Sequence, residues 1–157
     1  MSSIGEEIHQ KEFKSVYVKT EVNILFTAGW IENNNNKFFK LYDISMQQFN
    51  VLRILRGQYP QPVMLSLITE RMIDKMSNAT RLVEKLRIKG YVSRELNTSN
   101  RRQVDILITE SGLELLAQID LNFSGLEDKY KKLSLEEAEI LNQLLDKLRG
   151  EENVHPI

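Results

Sequence analysis

The sequence predicts a mainly α-helical protein with one small two-stranded β element, in the order α-α-α-α-β-β-α-α. Apolar residues recur at the three-to-four-residue spacing of an amphipathic helix in six stretches of the chain. The spacing changes to alternation only between Tyr91 and Thr109, where two short runs flank a polar turn. Serine, glycine and proline residues mark several of the expected helix ends.

The first predicted helix runs from Glu6 to about Tyr42, and its apolar residues lie on more than one face. Such a helix must be covered on several sides, and in a chain of 157 residues a second copy is an economical cover. The run from Asn33 to Asn36 has poor helix propensity, so we expect a frayed or bent stretch there.

The next two helices have clear start signals. Ser45 is a favourable N-cap, Gln48 completes a capping box three residues later, and Gly57 ends the second helix. The third helix is short and begins after Pro62, because proline is tolerated in a first helical turn.

The fourth predicted helix runs from about Asp74 to Lys89 and is closed by Gly90 at the C′ position. Its outward face is polar and basic, and its other face is apolar. The residues expected to point inward are Met76, Ala79, Leu82, Val83 and Leu86.

Two short strands follow, Tyr91–Leu96 and Gln103–Thr109, joined by the polar turn Asn97–Arg102. The alternation of apolar and polar residues in the second strand indicates that one face of this hairpin is buried.

Two helices complete the pattern. One is expected from about Glu110 to Lys132, with a bend near Gly125. The last begins at Ser134, has Glu137 as its capping-box partner and carries a stripe of leucines.

Charge is segregated along the chain, although the net charge is only −1. Residues 71–102 hold nine basic and three acidic side chains, so the remainder of the chain is acidic. Duplex DNA responds to a local positive face, because salt screens interactions beyond about 8–10 Å. The distribution is therefore compatible with DNA binding.

Other kinds of site have little support. Cysteine is absent, and the two histidines, His9 and His155, stand near opposite ends, so we expect no metal and no cofactor. We also expect no enzyme, because no phosphate-binding loop, nucleophile–base set or metal-ligand spacing occurs, although a paired-carboxylate site among 22 acids stays open. No apolar run approaches a membrane span and the start lacks a signal peptide, so we expect a cytoplasmic protein without a membrane partner.

The basic helix and the hairpin together predict a winged helix-turn-helix. Two consecutive helices, the second with a basic polar face, suit the major groove, and an arginine pair at a ribbon tip suits phosphates or the minor groove. The alternative is a solvated helix face followed by a solubilising turn. The candidate DNA contacts are Lys75, Ser77, Asn78, Thr80, Arg81 and Lys85 in the recognition helix, and Arg94, Asn100, Arg101 and Arg102 in the wing.

Five stretches together resemble the MarR family of bacterial regulators, in the family's order and spacing, over roughly residues 15–149. They resemble the family's second helix, its recognition helix with the first wing strand, its wing, the entry to the next helix and its acidic helical ending. The stretches are Ile44–Leu52, Thr80–Val92, Asn97–Arg102, Ile108–Gly112 and Leu133–Glu137. The chain departs from the family pattern at Asn97 and Asn100, where family wings usually carry aspartates.

The resemblance implies a homodimer joined by residues 1–42 and 110–157, with residues 43–109 as the DNA-binding lobe. It further implies a transcriptional repressor on a pseudo-palindromic operator, with recognition helices about 34 Å apart. A small aromatic or anionic ligand would shift the dimer between shapes that fit and misfit that operator.

Four aromatic residues are candidates for lining a ligand pocket: Tyr17, Phe26, Trp30 and Phe49. Aromatic residues at helical spacing are also typical of plain core packing. A second function class stays open, namely a dimeric winged-helix module that binds proteins and not DNA. The basic residues on the fourth helix favour DNA.

Overall fold

The computed structural model describes residues 2–96 and 104–150. The chain separates into two compact units, residues 1–120 and 121–157, which are described separately. The predicted mainly helical fold with a small antiparallel β element is confirmed. Its elements are α1 Ile4–Glu7, α2 Val16–Lys40, α3 Met46–Arg56, α4 Leu65–Arg71, α5 Ala79–Ile88, β1 Val92–Leu96, β2 Val104–Ile108, α6 Glu110–Asn122, α7 Ser124–Glu127 and α8 Leu135–Arg149.

The N-terminal helix differs from the prediction in two respects. It is divided into α1 and α2, because His9 adopts a left-handed backbone (φ 55°) and Ser15 caps a new start by accepting from the Val18 N–H. The fraying expected at residues 33–36 is wrong, since α2 is continuous there. Burial of Asn35 and Phe39 holds this end of the helix against the lobe despite its poor propensity.

Both predicted capping boxes are confirmed. At α3, Ser45 Oγ accepts from the Gln48 N–H at 3.1 Å and Gln48 Oε1 accepts from the Ser45 N–H at 2.9 Å. Ser134 and Glu137 repeat the exchange at α8 with distances of 3.1 and 2.8 Å. Each box satisfies two amides that lack a helical partner, so both starts agree with the sequence.

The core of the first unit surrounds α3, which contacts α2, α4, α5 and β2. Burying a large aliphatic side chain stabilises a fold by roughly 1.5–3 kcal/mol, so this cluster is the main source of stability for the lobe. The fully buried aliphatic residues are Val51, Leu52, Leu55, Ile68, Met72, Leu86, Ile106, Ile108, Leu116 and Ile119.

The hairpin pairs β1 with β2 in antiparallel register, with Arg94 opposite Ile106. Val63 adds a short bridge on the other edge of β2, where its N–H and C=O each lie 2.9 Å from their partners on Ile106. The third helix was expected directly after Pro62 but begins at Leu65, because Val63 is occupied by this pairing. The predicted turn Asn97–Arg102 lies outside the described residues.

The fourth helix is shorter than predicted. It begins at Ala79 and not near Asp74, because a side-chain turn built on Asp74 and an N-cap at Asn78 come first. Met76 was expected to point inward and is instead 94% exposed. The predicted C′ residue Gly90 has a φ of 79°, so a left-handed residue does terminate this helix.

The helix expected to reach Lys132 ends at Asn122, and the short α7 follows, so the break precedes the expected bend at Gly125. In the second unit α8 buries none of its residues. Across the part of the chain that the structure describes, no helix is both long and apolar enough to cross a membrane.

Gly112 lies where α6 passes against the end of the hairpin. A Cβ at this position would stand 2.4 Å from the Tyr91 carbonyl oxygen and 2.7 Å from Ile108 Cγ1. We expect Gly112→Ala to lower the free energy of unfolding by about 1–3 kcal/mol, because backbone must move to admit the methyl group. Urea denaturation followed by circular dichroism measures the change.

Gly57→Ala is the matched control. A Cβ there would meet its neighbours at 3.5 Å or more with an ordinary right-handed backbone. We expect a change within about 0.5 kcal/mol for this variant. Equal stability of the two variants would contradict the close approach of α6 to Tyr91.

Candidate nucleic-acid interface

The predicted recognition helix, α5, has one buried and one exposed side. Ala79, Val83 and Leu86 are buried in the core. Arg81 and Lys85, four residues apart, are exposed on the other side, and Thr80 is exposed beside them. Within the described residues, neither the Arg81 guanidinium nor the Lys85 ammonium has a hydrogen-bond or ion-pair partner. Both cations are therefore available to an external anion.

The turn before α5 holds three further predicted contacts. Lys75 and Ser77 precede the helix, and Asn78 is its N-cap, with Oδ1 accepting from the Arg81 N–H at 2.9 Å. This cap contributes about 1 kcal/mol and fixes the first turn of the helix. The three residues therefore lie at the N-terminal end of α5, whereas the sequence had predicted them on its outward face.

Asp74 organises this turn. Its Oδ2 accepts from Ser77 Oγ at 2.6 Å, and its Oδ1 accepts from the Met76 N–H at 3.0 Å. The Ser77 hydrogen bond, followed by that from Met76, lowers the pKa of the Asp74 carboxyl below its ordinary value of 3.8. The charged Asp74 carboxylate therefore stabilises the turn fully above its ordinary pKa of 3.8, and this stabilisation is lost as the pH falls through the lowered pKa. At neutral pH the turn keeps the whole stabilisation.

Arg94 lies on β1 and is exposed. Its charge acts on Glu84 of α5, whose pKa is lowered first by a hydrogen bond from Arg87 and further by the charges of Arg87 and Arg94. The base of the hairpin therefore stands beside the recognition helix. Three predicted wing residues lie outside the described residues: Asn100, Arg101 and Arg102.

The electrostatics of this surface are positive. Residues 71–96 carry seven basic and three acidic side chains. Two of the acids are already engaged, since Asp74 accepts from Ser77 and Glu84 accepts from Arg87 in two hydrogen bonds of 3.0 and 2.8 Å. Two of the seven basic side chains form ion pairs, Arg87 with Glu84 and Lys89 with Asp43, and the remaining basic side chains can attract a polyanion.

The far end of α5 is anchored by a contact that sequence reasoning missed. Lys89 Nζ donates to the backbone carbonyl of Asp43 and lies 2.7 Å from Asp43 Oδ2. Asp43 has a left-handed backbone (φ 54°) at the corner between α2 and α3. The contact joins residues 46 positions apart, and no local sequence signal announces such a pair.

A second missed cluster joins α3 to α6. Asp120 accepts from Arg56 Nη1 at 2.6 Å and from Arg53 Nη1 at 3.3 Å. One carboxylate shared by two guanidinium groups restrains the two helices, although its partly exposed setting keeps the energy small.

The predicted ligand-pocket residues do not line two of the cavities among the described residues. One cavity, of about 280 Å³, includes Thr80 and Arg94, and the other, of about 550 Å³, includes Lys85 and Lys89. Three of the four aromatic residues are exposed, namely Tyr17, Phe26 and Trp30. The fourth, Phe49, is half-buried, and its ring centroid lies 4.5 Å from that of Phe39. A pocket at these residues stays a prediction.

Comparisons with known proteins agree on one family. The MarR family model matches residues 44–104. The uncharacterized HTH-type transcriptional regulator YfiV of Bacillus subtilis is 30% identical over 126 residues, which cover 80% of this chain and 71% of YfiV.

Solved structures show the same fold. A putative MarR-like transcription regulator from Bacillus cereus has a TM-score of 0.76 and 29% identity, covering 86% of this chain and 96% of its own. A mutant MarR from Escherichia coli, complexed with operator DNA, has a TM-score of 0.74 and 22% identity, covering 88% and 99%. Together with the winged helix-turn-helix order of elements, the identity to YfiV over most of both chains shows that this chain belongs to the MarR family of DNA-binding transcriptional regulators.

Proposed function

We propose that the protein is a homodimeric transcriptional repressor that binds a pseudo-palindromic operator, with one recognition helix in each half-site. The observation that carries this proposal is the exposed Arg81 and Lys85 pair on α5, free of partners within the described residues. The MarR structure complexed with operator DNA supports the same use of the fold here. Because the operator lies there, we place the protein in the cytoplasm.

The proposed DNA contacts are supported by the exposed side chains on α5 and by the sequence of the wing. Thr80, Arg81 and Lys85 face the major groove from α5, where arginine and lysine can donate to guanine O6 and N7. Lys75, Ser77 and Asn78 approach from the turn at the N-terminal end of the helix. On the wing, Arg94 stands at the base, and Asn100, Arg101 and Arg102 are assigned to phosphates or the minor groove.

The homodimer is supported by apolar surface that a single copy leaves in water. Five large apolar residues of α2 are 42–82% exposed, and five of α8 are 45–88% exposed. Contiguous apolar patches of this kind mark interfaces. The large exposed residues of these two helices are Val16, Tyr17, Leu25, Phe26, Trp30, Leu135, Ile140, Leu141, Leu144 and Leu148.

Release by a small aromatic or anionic ligand completes the proposal. A second copy covering α2 would enclose its exposed aromatic residues Tyr17, Phe26 and Trp30 near the dimer region. A ligand there would act by binding one dimer shape more tightly than another. The ratio of the ligand's affinities for the two dimer shapes limits how far the ligand can shift the population from one shape to the other.

Selection of bound fragments from genomic DNA tests the proposal. We expect an inverted repeat with half-site centres about 10–10.5 base pairs apart and an affinity that falls steeply with salt. Repeating the selection with benzoate-type aromatic carboxylates added tests release. Binding without sequence preference, or half-sites without two-fold symmetry, would contradict the dimeric operator.

A further inference from the structure

The side chain of Met76 is the most exposed large apolar side chain of the described residues, at 94%. A single exposed apolar residue is ordinary on a protein surface. Met76, however, lies two positions before Asn78, the N-cap of the recognition helix, in the most basic part of the chain. Its position on that surface is therefore informative.

The backbone around Met76 is held on both sides. The Met76 N–H donates to Asp74 Oδ1 at 3.0 Å, and the Ser77 N–H donates to the Asp74 carbonyl at 3.2 Å. The turn is also tied to α3, because the Ile73 N–H donates to Asn50 Oδ1 at 2.9 Å. These bonds fix the backbone from which the exposed Met76 side chain projects.

The major groove offers one apolar group on its base edges, the C5-methyl group of thymine. In a helix-turn-helix, residues at the N-terminal end of the recognition helix contact base edges. Lys75 and Arg81, on either side of Met76 in the sequence, supply the positive charge that draws this end of α5 to DNA. A flexible, polarizable thioether packs well against a methyl group.

We propose that Met76 contacts the methyl group of a thymine in each half-site and thereby determines the base preferred at that position. The assignment rests on the proposed operator binding. It gives the protein a base preference read by apolar contact, separate from the hydrogen bonds available to Arg81.

Thymine-to-deoxyuridine substitution tests the contact, because it removes only the methyl group. Each thymine of the selected operator is replaced in turn, and binding of the full chain is measured by fluorescence anisotropy. We expect a loss of about threefold to fivefold at one symmetric position per half-site, the value of one buried methyl group. The Met76→Ala variant should have an affinity for the thymine operator that is lower by a similar factor. It should bind operators with thymine and with deoxyuridine at that position equally well.

Met64→Ala is the matched control, because Met64 is also an exposed methionine of the lobe but precedes α4. It should keep the full thymine preference, and both variants should keep the wild-type unfolding midpoint. The proposal is overturned if Met76→Ala keeps the thymine preference, or if wild type binds its operator without sensing any thymine methyl. Absence of sequence-specific binding by wild type would instead overturn the proposed function itself.

Discussion

Replacing Leu144 with alanine should weaken the proposed dimer by roughly 2–5 kcal/mol, the cost of removing a buried leucine side chain. Leu144 is 57% exposed in a single copy, and α8 buries none of its residues. Its contribution therefore appears only when a second copy covers the helix. Analytical ultracentrifugation over a range of concentrations measures the dissociation constant.

Leu96→Ala is the control for this prediction. Leu96 is 67% exposed at the end of β1, outside the proposed dimer region. The same chemical change there should leave the dissociation constant unaltered. If Leu144→Ala behaves as this control does, and thermal unfolding stays independent of concentration, α8 is not part of the dimer.

Replacing Arg81 with alanine should cost about 1–3 kcal/mol in specific operator binding, which is roughly fivefold to 150-fold in affinity. The Arg81 side chain belongs to the first turn of α5. Its guanidinium is exposed and has no partner within the described residues. Competition of the selected operator against scrambled DNA, at one fixed salt concentration, measures the specific part of the loss.

Arg87→Ala provides a matched control on the same helix. Arg87 donates to both carboxylate oxygens of Glu84, so its charge is already used within the protein. We expect a smaller effect of that substitution on operator affinity. An equal loss for Arg81→Ala on operator and scrambled DNA would show that Arg81 binds phosphate and reads no base.

Local signals predicted the parts of the fold that depend on neighbouring residues. The capping box at Ser45 and the left-handed Gly90 were both correct, because each is determined by a few adjacent positions. The start of α5 was not, since the Asp74 side chain competes for the same amides that a helix would use. Because of this error, Met76 was predicted to point into the core, whereas its side chain is exposed to solvent.

Long-range contacts account for the rest. The anchor of Lys89 on Asp43 and the sharing of Asp120 by two arginines join residues 46 to 67 positions apart. Charge pairs of this kind leave no periodic trace in the sequence, and they depend on how the helices pack. The sequence predicted which basic and polar residues lie on or next to α5. It did not predict their arrangement, because that depends on the turn that Asp74 forms before α5.

The bridge between Val63 and Ile106 has a consequence for association between chains. An unpaired strand edge is a template for strands of other molecules, and this bridge occupies part of the free edge of β2. Along β1 the other edge carries the exposed charges of Arg94 and Glu95, which disfavour strand addition. Both edges of the described hairpin are thus protected from pairing with strands of other chains.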